Sequence, residues 1–563
     1  MSTELKSESL NQKLRGGYYT PDAIAQFLAI WAVCDATDEV LEPSCGDGML
    51  LAAAAQRLMR LGAAPEEVSR QIRGIELHES EARLARSRLE QMQVFCNGAI
   101  SVGDFFQFDD QDWGIINRRF DVVIGNPPFL RYHTFPEEQR VRAFRIMKTA
   151  SLNPTKLTNS WVAFLIAASL RLKSNGRLAM VIPAELLQVK YAAETRAFLA
   201  RHFGAITIIT FRRLVFESIQ QEVVLLLAEK NPQIESGIDI IELDDANDLA
   251  GYEVKLRERR HLKSIDHAEE KWTQYYLNEA EIALLRAAKQ HPDIKRFHHI
   301  GDVDVGVVTG NNSFFVLNEE QVSKLGLAKF TLPLVGRTSQ LPGIIFATDD
   351  WQSNRADGVA CHLLNLPELP FEQLPKAAQA YIRVGETAGA HEGYKCRIRK
   401  LWYIPPTRWV PHAFLFRQIH AYPKLVFNCT GATSTDTIHR VRYHQPQFAD
   451  QITCSFLNSM TFAFSEVLGR SYGGGVLELE PNEAEQLPIP FFPDSALDLS
   501  RLEHLERSGQ IASVLDVTDH ELLCRRLGFS VQEAGMFREI WRKLSGRRMG
   551  RKGKATPKQP NGE

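Results

Sequence analysis

Cysteine is sparse and does not cluster. Eight cysteines are spread over 563 residues, at positions 34, 45, 96, 361, 396, 429, 454 and 524, with no Cys-x-x-Cys pair. That spacing argues against a zinc site or a disulfide framework, so no metal is expected, and it fits a reducing cytoplasm. Long hydrophobic runs are missing too. No apolar stretch reaches the roughly 18 residues that a membrane helix needs, and Met1–Arg15 lacks the apolar core of a signal peptide. Charge of one sign is also absent: the formal net charge is −2, so any affinity for nucleic acid must come from local patches. There are no internal repeats and no Pro-Asp…Asp/Glu-x-Lys arrangement, which argues against a fused nuclease. The expectation is a cytoplasmic protein, 44% hydrophobic and 24% charged, too long for one core.

What is present begins with alternation. Short apolar strands are predicted at Glu39–Ser44, Ile72–Leu77, Ile100–Gly103, Phe120–Gly125, Arg177–Ile182, Ile206–Phe211 and Glu222–Leu227. Helical patterns fall between most of them, at Met49–Leu61, Glu79–Gln91, Ser160–Leu172 and Tyr191–His202. This predicts an α/β domain with a mostly parallel seven-stranded sheet covered on both faces, its last two strands forming an antiparallel hairpin. The domain is expected to span residues 1–235. After Lys230 an acidic stretch, Asp239–Asp248, marks a change of texture. Residues 236–495 read as a second, α+β domain, and 496–563 as a helical extension ending in a basic, disordered tail.

The stretch with most chemical content is Asn126-Pro127-Pro128-Phe129, at the end of the fourth predicted strand. Two prolines stiffen the turn and supply no backbone donors, so neighbouring carbonyls stay outside any ladder. An amide, a fixed carbonyl and an aromatic face together suit a flat, amino-bearing group. Two acceptors, the Asn126 side-chain oxygen and the Pro127 carbonyl, would polarise such an amino nitrogen toward nucleophilicity. The motif has no base of its own, and none is needed, because alkylation collapses the nitrogen's pKa. Between Phe129 and Ser160 a polar, basic insert carries Arg131, Arg140, Arg142, Arg145, Lys148 and Lys156. It is expected to act as a lid.

Upstream, Glu42-Pro43-Ser44-Cys45-Gly46-Asp47-Gly48 ends the first strand with glycines that permit a tight turn before a helix. The turn lacks the full Gly-x-Gly-x-x-Gly spacing and any phosphate-binding Lys, and it carries Glu42 and Asp47. Carboxylates there suit a cationic ligand. Glu76 ends the second strand, where an acid can accept ribose hydroxyls. Asp104 and Phe105 end the third, placed for an adenine amino group and ring. The set describes a pocket for S-adenosylmethionine.

In order, Tyr19-Thr20-Pro21, Glu42–Gly48, Gly74-Ile75-Glu76, Gly103-Asp104-Phe105 and Asn126–Phe129 resemble the motifs of gamma-class, TaqI-like N6-adenine DNA methyltransferases of restriction–modification systems. The resemblance covers residues 16–230. It implies that Thr20, Glu42, Ser44, Gly46, Gly48, Glu76, Asp104, Phe105 and Pro128 line the cofactor pocket. It also implies that Asn126, Pro127 and Phe129 act on a flipped adenine, with Phe216 stacking on its other face. The implied partners are double-stranded DNA and a separate restriction endonuclease, and a monomer is expected.

The second half then reads as a target-recognition domain. Between His391 and Tyr443 nine Lys/Arg stand against two acids, Glu392 and Asp436, with Tyr394, Trp402, Tyr403, Trp409, Phe414 and Phe416 interleaved. Arg131, Arg397, Arg399, Lys400 and Arg408 are the candidate DNA contacts. Rival readings are an N-methyltransferase acting on RNA or protein glutamine, a modification subunit with borrowed specificity, and a catalytically silent DNA-binding protein. A long C-terminal domain disfavours the first and the early Tyr19-Thr20-Pro21 the second; intact Glu76, Asp104 and Asn126 disfavour the third.

Overall fold

The computed structural model describes residues 19–95, 98–107, 118–213, 215, 222–231, 236–258, 261–265, 270–406, 408–472 and 475–550. The chain divides into two compact units, the first running to Tyr276 and the second starting at Leu277.

In the first unit all seven expected strands are present: β1 (Val40–Glu42), β2 (Ile72–Glu76), β3 (Ile100–Val102), β4 (Phe120–Gly125), β5 (Leu172–Pro183), β6 (Ala205–Phe211) and β7 (Val223–Glu229). An eighth, β8 (Gly237–Leu243), extends the sheet, whose order is β3-β2-β1-β4-β5-β7-β6-β8. β7 runs antiparallel to β5 and β6, and the other pairs are parallel. The apolar runs explain the arrangement: all seven residues of β7, VVLLLAE, are buried, as a strand covered on both faces requires.

The division between the two compact units thus falls at 276/277, beyond the 235/236 expected from the sequence. β8 pairs in register with β6, Ala205 opposite Gly237 through Phe211 opposite Leu243. Its acids misled the sequence reading. They belong to a sheet edge, where Glu242 and Asp244 pair with Arg212 at 3.4 and 3.0 Å.

Helices α1 (Asp22–Ala32), α2 (Met49–Arg60), α3 (Pro65–Gln71), α4 (Glu79–Glu90), α5 (Glu137–Thr149), α6 (Ser160–Ser169) and α7 (Ala193–His202) accompany the sheet. Every residue of α6 is buried, the pattern of a helix enclosed on all sides. At the start of α2, Gly48 has φ +78°, and a Cβ there would lie 2.7 Å from the Ala85 Cβ. Only glycine allows α2 and α4 to approach so closely.

The second unit is α+β. Its largest sheet has the order Gly301–Val305, Ile438–Tyr443, Ala413–Phe416, Leu425–Asn428, Ile345–Phe346. The helices after residue 496 are packed into this unit rather than forming an extension. The last helix reaches Gly550, and three of its basic residues are paired: Arg538 with Asp519, Lys543 with Glu281, and buried Arg548 with Glu466 at 2.7 Å. The expected disordered tail from 551 onward lies outside the described residues. No helix among the described residues is long and apolar enough to cross a membrane.

Candidate active site

At the carboxyl ends of β1–β4 the first unit opens a cavity. Its walls include Thr20, Glu42, Ser44, Gly46, Glu76, Asp104, Phe105, Asn126 and Pro128, residues drawn from five separate stretches of sequence. Gly48 stands just behind, shaping the turn into α2. Parallel strands with rightward crossovers bring their carboxyl ends to one edge, which is why these stretches meet.

Three buried acids dominate the cavity's electrostatics. Burial, reinforced by the nearby Asp47, pushes the Glu42 carboxyl well above its ordinary range. Burial also raises Glu76, although its two oxygens accept the backbone N–H groups of Gly46 and His78, each at 2.9 Å. Asp104 is raised by burial as well, with the Phe106 N–H at 3.1 Å and the Arg142 guanidinium at 3.5 Å opposing the shift. Glu42 Oε2 and Ser44 Oγ are buried and have no hydrogen-bond partner among the described residues, whereas Asp104 Oδ2 has only the Arg142 guanidinium, at 3.5 Å. Leaving such groups unmatched costs about 1–3 kcal/mol each, so the cavity wall is built for a polar, positively charged occupant. S-adenosylmethionine, with its sulfonium, hydroxyls and amino groups, fits that donor and acceptor set.

Asp47 lines the cavity as well, but its charge is not free. It is ion-paired with Arg88, whose Nε also holds the Asp47 carbonyl at 3.1 Å.

The Asn126–Phe129 turn is fixed from two sides. The Asn126 side-chain N–H donates to Thr20 Oγ1 at 3.2 Å. On the other side Ser160, the first residue of α6, donates its hydroxyl to the Pro128 carbonyl and accepts the Leu130 N–H at 2.9 Å. The Ser160 N–H in turn holds the Leu130 carbonyl at 2.9 Å. It is the Pro128 carbonyl that is taken, not that of Pro127. Pro127 is buried, and Phe129 is half-buried against the core beneath the sheet. Asn159, just before Ser160, donates to Glu185 and to the Tyr191 hydroxyl at 3.3 and 3.0 Å, so the start of α6 is itself anchored.

One helical turn on from Ser160, Phe164 lines the cavity and stacks on Phe105, ring centroids 5.8 Å apart and planes 12° from parallel. Phe135, from the insert, lines it as well. The insert itself forms α5, secured by buried Ala143, Ile146 and Met147. Sequence reasoning missed Ser160, Phe164, Phe135 and the reach of Arg142. The spacing of Ser160 and Phe164 on an all-apolar helix was a legible signal for the first two; nothing local marks Phe135. Phe216 lies outside the described residues.

The five candidate DNA contacts divide. Arg131, Arg397 and Lys400 are exposed. Arg399 turns inward, donating to the Val308 carbonyl at 2.8 Å and lying 5.7 Å over the Phe315 ring. Arg408 is committed to Asn365, to the Leu366 carbonyl at 3.1 Å and to Glu368 at 2.6 Å. Arg399 and Arg408 are thus engaged within their own unit, where a loop-rich domain has many carbonyls to satisfy. Of the interleaved aromatics, Phe414 and Tyr403 are buried, and Trp402 packs on Phe314 at 4.9 Å.

Known proteins share this organisation. The family model described as N-6 DNA Methylase matches residues 6–300, and that of the Type II methyltransferase M.Eco57I, C-terminal domain, matches residues 269–523. The Type II methyltransferase M.AccI of Acinetobacter calcoaceticus is 21% identical over 495 residues, covering 85% of this chain and 86% of its own. The Type II methyltransferase M.XamI of Xanthomonas campestris pv. amaranthicola is 20% identical over 486 residues, covering 84% and 85%. Among solved structures, the Type IIL restriction-modification enzyme MmeI in complex with DNA is similar with a TM-score of 0.56 and 12% identity, over 96% of this chain and 75% of MmeI. That likeness concerns the fold, a methyltransferase α/β unit followed by a C-terminal domain. With more than half of its length matched, and with the motif residues gathered around one cavity, this chain belongs to the N-6 DNA methylase family.

Proposed function

We propose that the protein is a site-specific, gamma-class (TaqI-like) DNA methyltransferase that modifies N6 of a flipped-out adenine in a short duplex sequence. The observation that carries this reading is the Asn126–Phe129 turn at the mouth of a cavity lined by Glu42, Glu76 and Asp104. When bound, S-adenosylmethionine supplies an electrophilic methyl group. The chain's own residues do the rest. Glu76 is placed at a strand end for ribose hydroxyls, Asp104 and Phe105 for the adenine of the cofactor, and Thr20, Ser44 and the turn glycines for its amino-acid end. Glu42 supplies negative charge to a cationic ligand.

Toward the target base, Asn126 Oδ1 and the Pro127 carbonyl accept from the amino group, favouring a pyramidal nitrogen where positive charge develops. Phe129 stacks on the extruded base, replacing stacking worth about 1–3 kcal/mol; Phe216 is proposed for its other face. Residues of the second unit read the sequence, and Arg131 contacts phosphate. A role in protecting DNA from a separate endonuclease accords with the Type II names of the relatives. Action on DNA places the protein in the cytoplasm, and asymmetric single-chain organisation suits a monomer.

The test is transfer from labelled S-adenosylmethionine to unmethylated genomic DNA, with nucleoside mass spectrometry and modification mapping. N6-methyladenine confined to one short sequence is expected. Label in RNA or protein, and none in DNA, overturns the substrate.

A further inference from the structure

We propose that residues 309–313 and 394–400 of the second unit form one surface that reads the edge of a guanine in duplex DNA. This rests on the DNA-methyltransferase reading and deepens it.

The two segments are riveted together. Arg399 holds the Val308 carbonyl at 2.8 Å, and the Cys396 thiol donates to the Thr309 carbonyl at 3.8 Å. Gly310 has φ +81°, and a Cβ at that position would lie 2.8 Å from the Lys395 Cβ. The Gly310 backbone packs directly against the Lys395 Cβ and the Cys396 thiol, so the side chains on either side are displayed from a closely packed base.

The polar side chains displayed are basic, amide-bearing or hydroxyl-bearing. Lys395, Arg397, Lys400, Asn312 and Ser313 are exposed. The Asn312 side-chain oxygen accepts from the Thr309 hydroxyl, and the Asn311 oxygen accepts from the Ser313 hydroxyl at 2.6 Å. Both amide oxygens are consumed within the turn, which leaves the NH2 groups as donors; neither has a partner among the described residues. Residues 306–318 and 393–403 contain no Asp or Glu. The surface is therefore rich in donors and poor in charged acceptors. Among them stand two large exposed apolar side chains, Tyr394 at 64% and Ile398 at 61% exposure.

A ligand for such a surface must offer acceptors and tolerate apolar contact. Phosphates supply acceptors along the DNA backbone. Among base edges in the major groove, guanine alone offers two adjacent acceptors, N7 and O6, without a donor or a methyl group between them and the protein. Adenine and cytosine present an amino group that meets the Asn and Arg donors head-on. Arg397 and Asn312 are the side chains assigned to the base, and Lys395 and Lys400 to phosphate.

The experiment uses the full chain and maps the methylated sequence left by the wild type and by Asn312→Ala, Arg397→Ala and Lys400→Ala, with the salt dependence of binding to a site-bearing duplex. Arg397 and Lys400 are exposed, so unchanged unfolding temperature and cofactor affinity are expected for their variants; Asn312→Ala also removes the acceptor of the buried Thr309 hydroxyl, so its sequence is mapped at a temperature where it is fully folded. Asn312→Ala and Arg397→Ala should relax one position of the sequence, and that position should be a guanine. Lys400→Ala should keep the sequence and lower the log–log salt slope by about one. An unchanged sequence with an unchanged slope overturns the surface, and relaxation at another base overturns the guanine assignment. The wild-type map separates the two levels: without methyladenine in DNA the enzyme reading fails, whereas a single wild-type sequence that all three variants retain sinks only the surface.

Discussion

The side-chain amide of Asn126 donates to the hydroxyl of Thr20, 106 residues earlier in the chain, at 3.2 Å. An amide has one N-bearing and one O-bearing end, so a partner on the nitrogen decides where the oxygen points. Thr20→Val keeps the shape and removes the acceptor. We expect methyl transfer to slow by about tenfold, equivalent to about 1.4 kcal/mol, with Thr20→Ser close to wild type. Single-turnover rates for both variants make the comparison; a Ser variant as slow as Val rejects the orienting role.

Asn126→Ala should abolish transfer while leaving cofactor affinity largely intact. Calorimetric titration with S-adenosylmethionine checks the second half. Loss of cofactor binding along with activity counts against Asn126 as the group that grips the target.

Ser160→Ala removes a hydroxyl that both donates to Pro128 and accepts from Leu130. Stability should fall by about 1–3 kcal/mol, the range for a newly unsatisfied buried group. Turnover should fall further than that loss of folded protein explains, because the turn is released. Equal kcat at a temperature where both proteins are fully folded contradicts the positioning role.

The raised carboxyls predict a pH dependence. For Glu42, Glu76 and Asp104 the folded values lie above those of the unfolded chain. From about pH 4 upward through those folded values the folded state binds the more protons, so stability falls as pH rises and returns on acidification. A cationic ligand favours the ionised forms and should expel protons on binding. S-adenosylmethionine titrated in two buffers of different ionisation enthalpy should give different heats, and a smaller difference is expected for the neutral sulfur of S-adenosylhomocysteine. Identical heats for the former remove the electrostatic account.

Arg408→Ala and Arg397→Ala should separate by phenotype. Arg408 holds three groups within its own unit, so its loss should lower the unfolding temperature without changing affinity for DNA at matched folded fraction. Arg397 should do the reverse. Denaturation scans and filter-binding isotherms of the two variants decide it.

The sheet was legible because apolar strands buried on both faces are short runs of Val, Ile and Leu, as in β4 and β7. The edge was not. β8 carries the half-buried Asp239 and Glu242, one on each face, and such a pattern reads as a linker when partners are unknown. The motif residues of the cavity could be named from strand ends, since parallel topology sends those ends to one place. Their partners were harder: Asp47 is turned to Arg88, and Arg142 reaches Asp104 from 38 positions further on, relations fixed by packing rather than by spacing. In the second unit, composition marked a basic stretch correctly but did not distinguish Arg397, exposed, from Arg408, spent on carbonyl and amide oxygens.

Ser160 and Phe164 sit one turn apart on the same fully buried helix, the first holding the Asn126–Phe129 turn and the second lining the cavity beside it. Any small shift of that helix therefore displaces both in common, and their separation is preserved while their absolute position is not. A misplacement of about 1 Å between reacting groups costs on the order of 100-fold in rate. Mounting the supports of turn and cavity on one helix keeps the two in register as the surrounding core breathes.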